Sequence, residues 1–163
     1  RLDQTFQIHN PNSAPLSISL FNFAAWSPGG HTAGLNASGD INAIAFTDGV
    51  YNDTHTAVGA TAYQAATDLT LVNLLYGGAA TDLNDTGLPI VNYAAHPDLP
   101  NDAFEWTLTI AGNGSATVEA DLVTARAVPE PASFLLAGVG GALALWQGRR
   151  CQRRRSVSRA PTE

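Results

Sequence analysis

Short alternating runs separated by turn residues predict an all-β chain. The expected fold is an antiparallel β-sandwich, jelly-roll or immunoglobulin-like, of about seven to nine strands, followed by a single C-terminal hydrophobic helix. Three stretches carry the prediction. Leu16-Ser17-Ile18-Ser19-Leu20 alternates apolar and polar residues, the period of a half-buried strand. Phe104, Trp106, Leu108 and Ile110 share one parity, against Glu105, Thr107 and Thr109 on the other. From Ala132 to Gly148 no side chain is charged, and the run is apolar all round rather than along one stripe.

Taken in order, Thr5-Phe6-Gln7-Ile8-His9 alternates and forms a first strand, and Asn10-Pro11-Asn12-Ser13-Ala14-Pro15 turns the chain. In Phe21-Asn22-Phe23 the large apolar residues change parity, which predicts a bulge or a strand passing from one sheet to another. Trp26 to Gly39 reads as a Gly/Ser/Asn loop, and Ile41 to Thr47 and Thr56 to Tyr63 read as strands around a turn at Asp48 to Asp53. Leu69 to Tyr76 carries mixed signals: Asp68 offers a helix cap, but Val72, Tyr76 and the stop at Gly77-Gly78 favour a strand. Ile90-Val91-Asn92-Tyr93 is a short edge strand in a loop-rich stretch. Gly112-Asn113-Gly114 then folds the last two strands into a hairpin, with Val118, Ala120 and Leu122 inward.

Charge divides the chain sharply. There is no lysine, and residues 1–128 hold twelve acids against Arg1 and Arg126, a net charge of −10. A domain this acidic repels nucleic acid and anionic lipid, so nucleic acid is excluded as a partner. The single cysteine, Cys151, lies in the tail, so packing rather than an intrachain disulfide must hold the domain together.

The tail has the layout of a membrane segment. As a helix, its uncharged run spans roughly 27 Å, near the lower limit for a bilayer's hydrocarbon. Trp146 falls at the interfacial position, and Arg149, Arg150, Arg153, Arg154 and Arg155 follow it. The positive-inside rule places that cluster in the cytoplasm and residues 1–127 outside. Pro129 and Pro131 cannot sit in a helix interior, so they mark its boundary. This topology predicts an export signal peptide upstream of Arg1, removed or missing from the sequence.

Val128-Pro129-Glu130-Pro131-Ala132-Ser133, the short Gly/Leu/Ala helix and the arginine cluster resemble the PEP-CTERM sorting signal of Gram-negative bacteria over residues 128–155. The resemblance implies that Pro129, Glu130 and Pro131 are recognised by an exosortase, a membrane-embedded cysteine transpeptidase. It also implies transient anchoring in the inner membrane, cleavage near the motif, and delivery of residues 1–127 to the cell surface or a biofilm's extracellular matrix. Two features depart from the pattern: Gln147-Gly148 separates helix from arginines, and a disordered tail, 156–163, is expected beyond them. In the body, Phe6-Gln7-Ile8, Pro15 to Phe23 and Phe104-Glu105-Trp106-Thr107 resemble β-rich ectodomains common among PEP-CTERM proteins, which implies one continuous β domain.

Little in that domain spells out chemistry. His9, His31, His55 and His96 lack metal-ligand spacing, and each adjoins a turn residue, so all four are expected at the surface or in turns. Asp82-Leu83-Asn84-Asp85-Thr86-Gly87 spaces oxygen donors like a calcium loop, but Tyr93 stands where an EF-hand needs its bidentate glutamate. A calcium site of another kind would use Asp82, Asn84 and Asp85, or Asp48 and Asp53; the alternative is a solvated acidic turn, and no other cofactor is expected. No serine sits in Gly-x-Ser-x-Gly, and Glu105 and Glu119 are expected on outward, solvated faces rather than as a glycosidase pair. Trp26 and Tyr51 fall in loops, where a ring can stack on a sugar, whereas Trp106 belongs to the core. The expected function is that of an exported, non-enzymatic surface or exopolysaccharide-matrix protein with a structural or adhesive role. The alternative is a secreted carbohydrate- or calcium-binding module.

Overall fold

The computed structural model describes residues 1–30, 34–77, 82–94 and 99–126. Among these residues nine strands and one short α-helix follow one another: β1 (Leu2–His9), β2 (Leu16–Ala25), β3 (Leu35–Gly39), β4 (Ala43–Thr47), β5 (Tyr51–Val58), β6 (Ala62–Ala66), α1 (Thr70–Tyr76), β7 (Ile90–Tyr93), β8 (Asn101–Ile110) and β9 (Ser115–Arg126). They form a six-stranded sheet, ordered β1-β9-β5-β4-β3-β7, and a three-stranded sheet, ordered β2-β8-β6. Every pairing between these strands is antiparallel. The first and last strands run side by side, with Leu2 opposite Leu122 and His9 opposite Ser115. The hydrophobic helix expected at about 132–148 lies outside the described residues; among those described, no helix is long and apolar enough to cross a membrane.

Inward side chains of both sheets meet in one core. Phe6, Ile44, Phe46, Val118 and Ala120 from the larger sheet pack with Leu20, Phe104, Trp106 and Leu108 from the smaller. The indole N–H of Trp106 donates to the Val58 carbonyl at 2.8 Å, tying β8 to β5 across the layer. A second, smaller core lies on the other face of the three-stranded sheet. There Leu71, Leu83 and Ala103 are buried, with Phe21, Phe23, Leu74 and Leu75 against them.

That second core corrects two expectations. Leu69 to Tyr76 forms a helix rather than a strand, because Leu71, Leu74 and Leu75 recur at helical spacing and close over Ala103. Asp68 supports its start by accepting the Thr70 N–H at 2.9 Å. The parity change at Phe21-Asn22-Phe23 marks no bulge, since β2 pairs with β8 without interruption from Leu16↔Ile110 to Ala25↔Asn101. Instead Phe21 and Phe23 serve the second core while Leu20 and Ala24 serve the first.

The last two strands are also not a hairpin. β8 pairs with β2 and β6, whereas β9 pairs with β1 and β5, so the turn at Gly112 to Gly114 carries the chain from one sheet to the other. The β1–β2 turn makes the same crossing beside it. Buried Asn10 holds the two turns together: its Nδ2 donates to the carbonyls of Ala14 (2.8 Å), Ile110 and Ala111 (both 3.1 Å). Its Oδ1 accepts the Asn12 N–H, and the Asn113 N–H donates to the Asn12 carbonyl. Gly112 is required there, because a Cβ would stand 1.9 Å from the Ser13 carbonyl oxygen.

Elsewhere the boundaries move. The stretch Thr56 to Tyr63 divides between β5 and β6 at Gly59, whose φ of +69 suits glycine. β5 begins at Tyr51, since Asp48 closes the preceding turn by accepting the N–H groups of Val50 and Tyr51 at 2.8 and 2.7 Å. The loop expected from Trp26 to Gly39 contains β3, and Ile90–Tyr93 is the edge strand expected of it.

Candidate functional site

β5 alternates, sending Asp53, His55 and Ala57 inward. In β8 both faces are covered, so every residue from Asn101 to Trp106 is buried. Asp102 shares the parity of Phe104 and Trp106 and therefore enters the central core, while Glu105 takes the opposite face. His55 and Asp102 meet between the sheets, with Nδ1 2.6 Å from Oδ2 and both side chains 0% exposed. Asp102 Oδ1 accepts the indole N–H of Trp26. The Trp26 ring is stacked on Phe46 at 5.5 Å, and the His55 ring meets Phe104 edge-on at 4.7 Å.

This cluster is polar chemistry enclosed by aromatic carbon. Burial pushes the Asp102 carboxyl above the usual range, and the hydrogen bonds and charge of His55, with the Trp26 N–H, pull against that shift. His55 Nε2 and Asp53 Oδ1 are buried without a hydrogen-bond partner. The His–Asp contact resembles the orienting half of a hydrolytic triad in geometry, but neither side chain reaches solvent. What it does is join the two sheets.

Several sequence expectations are corrected here. His55 is a core residue rather than a surface histidine; only His9, in β1, fits that expectation among the two described, with its Nδ1 3.1 Å from Ser115 Oγ. Trp26 does lie in a loop, but its ring turns inward and is 6% exposed, which leaves no face for a sugar. Tyr51 is half-buried at the start of β5. Glu105 is not solvated: it is 1% exposed, and its Oε2 accepts the Leu83 N–H at 2.8 Å. Glu119, on the outer face of β9, is exposed as expected.

The acidic loop at 82–88 is fastened to the smaller sheet. Besides the Glu105 contact, Asp85 Oδ1 accepts the Tyr63 N–H at 2.9 Å, Asp85 N–H donates to the Tyr63 carbonyl, and Ala65 N–H to the Thr86 carbonyl. Asn84 Oδ1 accepts the Thr86 hydroxyl, and Asp82 is exposed. Asp85 therefore spends one carboxylate oxygen on the backbone, and Asp48 spends one on its own turn. Among the described residues, no group of three or more His, Cys, Asp or Glu side chains is placed to hold a metal ion.

Pro129, Glu130, Pro131, the five arginines from Arg149 to Arg155, His31 and His96 lie outside the described residues. The described part, within the compact unit Arg1–Ala127, is an antiparallel β domain whose buried polar cluster joins the two sheets. Residues 127–154 match the PEP-CTERM protein-sorting motif, so the chain carries the signal for exosortase processing. That motif implies export, transient anchoring through the C-terminus and exosortase-dependent sorting to the surface. No curated protein matches the sequence.

Proposed function

We propose that residues 1–127 are a jelly-roll β-sandwich delivered to the cell surface or exopolysaccharide matrix, where the domain has a structural or adhesive role and no enzymatic one. The PEP-CTERM motif at 127–154 carries this reading. Residues 128–155 serve as the sorting signal, with Pro129, Glu130 and Pro131 presented to the exosortase, an uncharged helix at about 132–148 holding the inner membrane, and the arginines retained in the cytoplasm.

The jelly roll is favoured over the immunoglobulin type by strand order. Paired terminal strands β1 and β9, with β2 and β8 paired in the opposite sheet, are what a long two-stranded ribbon gives when it folds over itself. In the immunoglobulin arrangement the first two strands lie in one sheet; here β1 and β2 lie in opposite sheets. Burial of His55, Asp102, Trp26 and Glu105 supports a scaffold reading, because the polar groups most capable of chemistry are committed to holding sheets and loops together.

The test is fractionation of host cells producing the protein with an epitope in the Gly49–Val50 turn, in the presence and absence of the exosortase. The reading expects the epitope in the surface and matrix fractions only when the exosortase is present. Retention in the inner membrane in both strains overturns it, and so does hydrolysis of a glycan or peptide by the purified domain.

A further inference from the structure

The four sheet edges are not equally protected. β7 is a four-residue edge, its pairing with β3 shifts register between Leu35 and Ala37, and Asn92 has φ +48. The free side of β6 is covered by the 82–88 loop, through the Tyr63–Asp85 and Ala65–Thr86 backbone bonds. Such irregularity and cover are the usual guards against strand addition. Among the described residues, β1 and β2 have neither. They are the outer strands of their two sheets, they are joined laterally by Asn22 Nδ2 donating to Gln4 Oε1 at 3.0 Å, and β2 is ten residues long with unbroken pairing.

The backbone of β2 presents a complete row of donors and acceptors. Thr107 N–H donates to Thr61 Oγ1 at 3.0 Å, and the Glu105 carbonyl accepts Thr61 N–H at 2.7 Å, so both groups point towards β6. In an antiparallel pair, opposed residues either bond to each other or both turn away. Ser19, opposite Thr107, and Phe21, opposite Glu105, therefore turn their N–H and C=O groups outward, as do Ser17 and Phe23 by the period of two. Among the described residues, no backbone group is hydrogen-bonded to this edge. Leu16, Ile18 and Leu20 are only half-buried, as expected where no further strand covers the core.

Charge identifies the occupant. No Asp, Glu, Lys or Arg occurs from Gln4 to Gly39, in a domain whose first 128 residues carry a net charge of −10. Two copies repel one another over most of their surfaces, and β2, uncharged from Leu16 to Ala25, is where they meet without like charges. An antiparallel strand pair about a two-fold axis is also self-complementary, so each β2 supplies what the other lacks. We propose that β2 is a self-association edge, where a second copy of this chain adds its own β2 antiparallel and continues the three-stranded sheet into a six-stranded one.

The full chain in a mild detergent tests this by sedimentation velocity across a wide dilution series, with hydrogen exchange read at Ser17, Ser19 and Phe21. The proposal expects a reversible dimer whose Ser19 amide gains protection as concentration rises. Ser19→Pro removes an outward N–H without breaking a bond to β8, and should leave a folded monomer. If proline disturbs β2 itself, Ser17→Lys with Ser19→Lys keeps the backbone intact and should raise the dimer dissociation constant by about tenfold through like charges across the pair. Thr117→Lys, on the exposed face of β9, should leave it unchanged. A monomer at every concentration overturns the proposal, as does a dimer indifferent to both edge variants, which would associate elsewhere. A concentration-independent Ser19 protection in a monomer also overturns it, because this chain's own residues would then cover the edge.

Discussion

His55 Nδ1 lies 2.6 Å from Asp102 Oδ2, and the contact bridges the two sheets where neither side chain is open to water. It links β5 of the larger sheet to β8 of the smaller, and Trp26 adds the loop after β2 through its indole N–H. A polar link inside an apolar core is costly to break, because the groups left behind have no water to turn to.

Asp102→Ala should therefore destabilise the domain by about 2–4 kcal/mol, from the two stranded partners and the space left. Asp102→Asn keeps the shape and both contacts, so its cost should be much smaller. Denaturant titration of the two variants checks the ranking, and equal costs would contradict the linking role.

Asp102 also sets a pH dependence. Burial raises the Asp102 carboxyl above its ordinary 3.8, so the folded protein holds that proton more tightly than the unfolded chain does. Its contribution is full below 3.8 and is lost as pH rises through the folded value. The stability of Asp102→Asn relative to the native protein should accordingly increase as pH rises from 3.8. Denaturation midpoints of both proteins at a series of pH values measure the difference, and a change in the other direction would contradict a raised carboxyl.

Asn10 should be the most sensitive residue of the crossing turns. Asn10→Ala removes three hydrogen bonds at the joint, and a loss of about 2–3 kcal/mol is expected in equilibrium unfolding. Asn10→Asp should be worse still, since a carboxylate would face the same three carbonyl oxygens. A neutral effect of either would show that the two turns do not depend on this side chain.

Glu105 should act locally. Glu105→Ala leaves the Leu83 N–H without its acceptor, so hydrogen exchange should speed up at Leu83 and Asp85 while β8 and β2 stay protected. Glu105→Gln, which retains an acceptor oxygen, should restore most of the protection. Uniform loss of protection across the sheet would contradict a role confined to the 82–88 loop.

The sequence disclosed the strands because alternation is a direct image of one buried face: Leu16 to Leu20 and Phe104 to Ile110 are read correctly on that ground. It failed where both faces are buried. Glu105 looked solvated because it opposes Trp106 in parity, yet α1 and the 82–88 loop create a second core on its side. Phe21 and Phe23 misled for the same reason. Asp102 left a readable signal, a charge sharing the parity of Phe104 and Trp106, and His55 left a fainter one in sharing the parity of Ala57. The crossing at Gly112 to Gly114 left none, since a hairpin and a passage between sheets have the same local turn chemistry. The sorting motif was the most legible feature because recognition there depends on short contiguous sequence, and residues 127–154 match it.

Processing of the tail as a sorting signal is tested by the intact mass and C-terminus of the protein released by its native host. Beside it stands the Pro129→Ala, Pro131→Ala variant. A mature chain ending near Pro129 is expected from the native sequence, and no such product from the variant. A chain that keeps its arginine-rich end and remains in the inner membrane would contradict it, and would make the uncharged run and basic cluster part of the working protein.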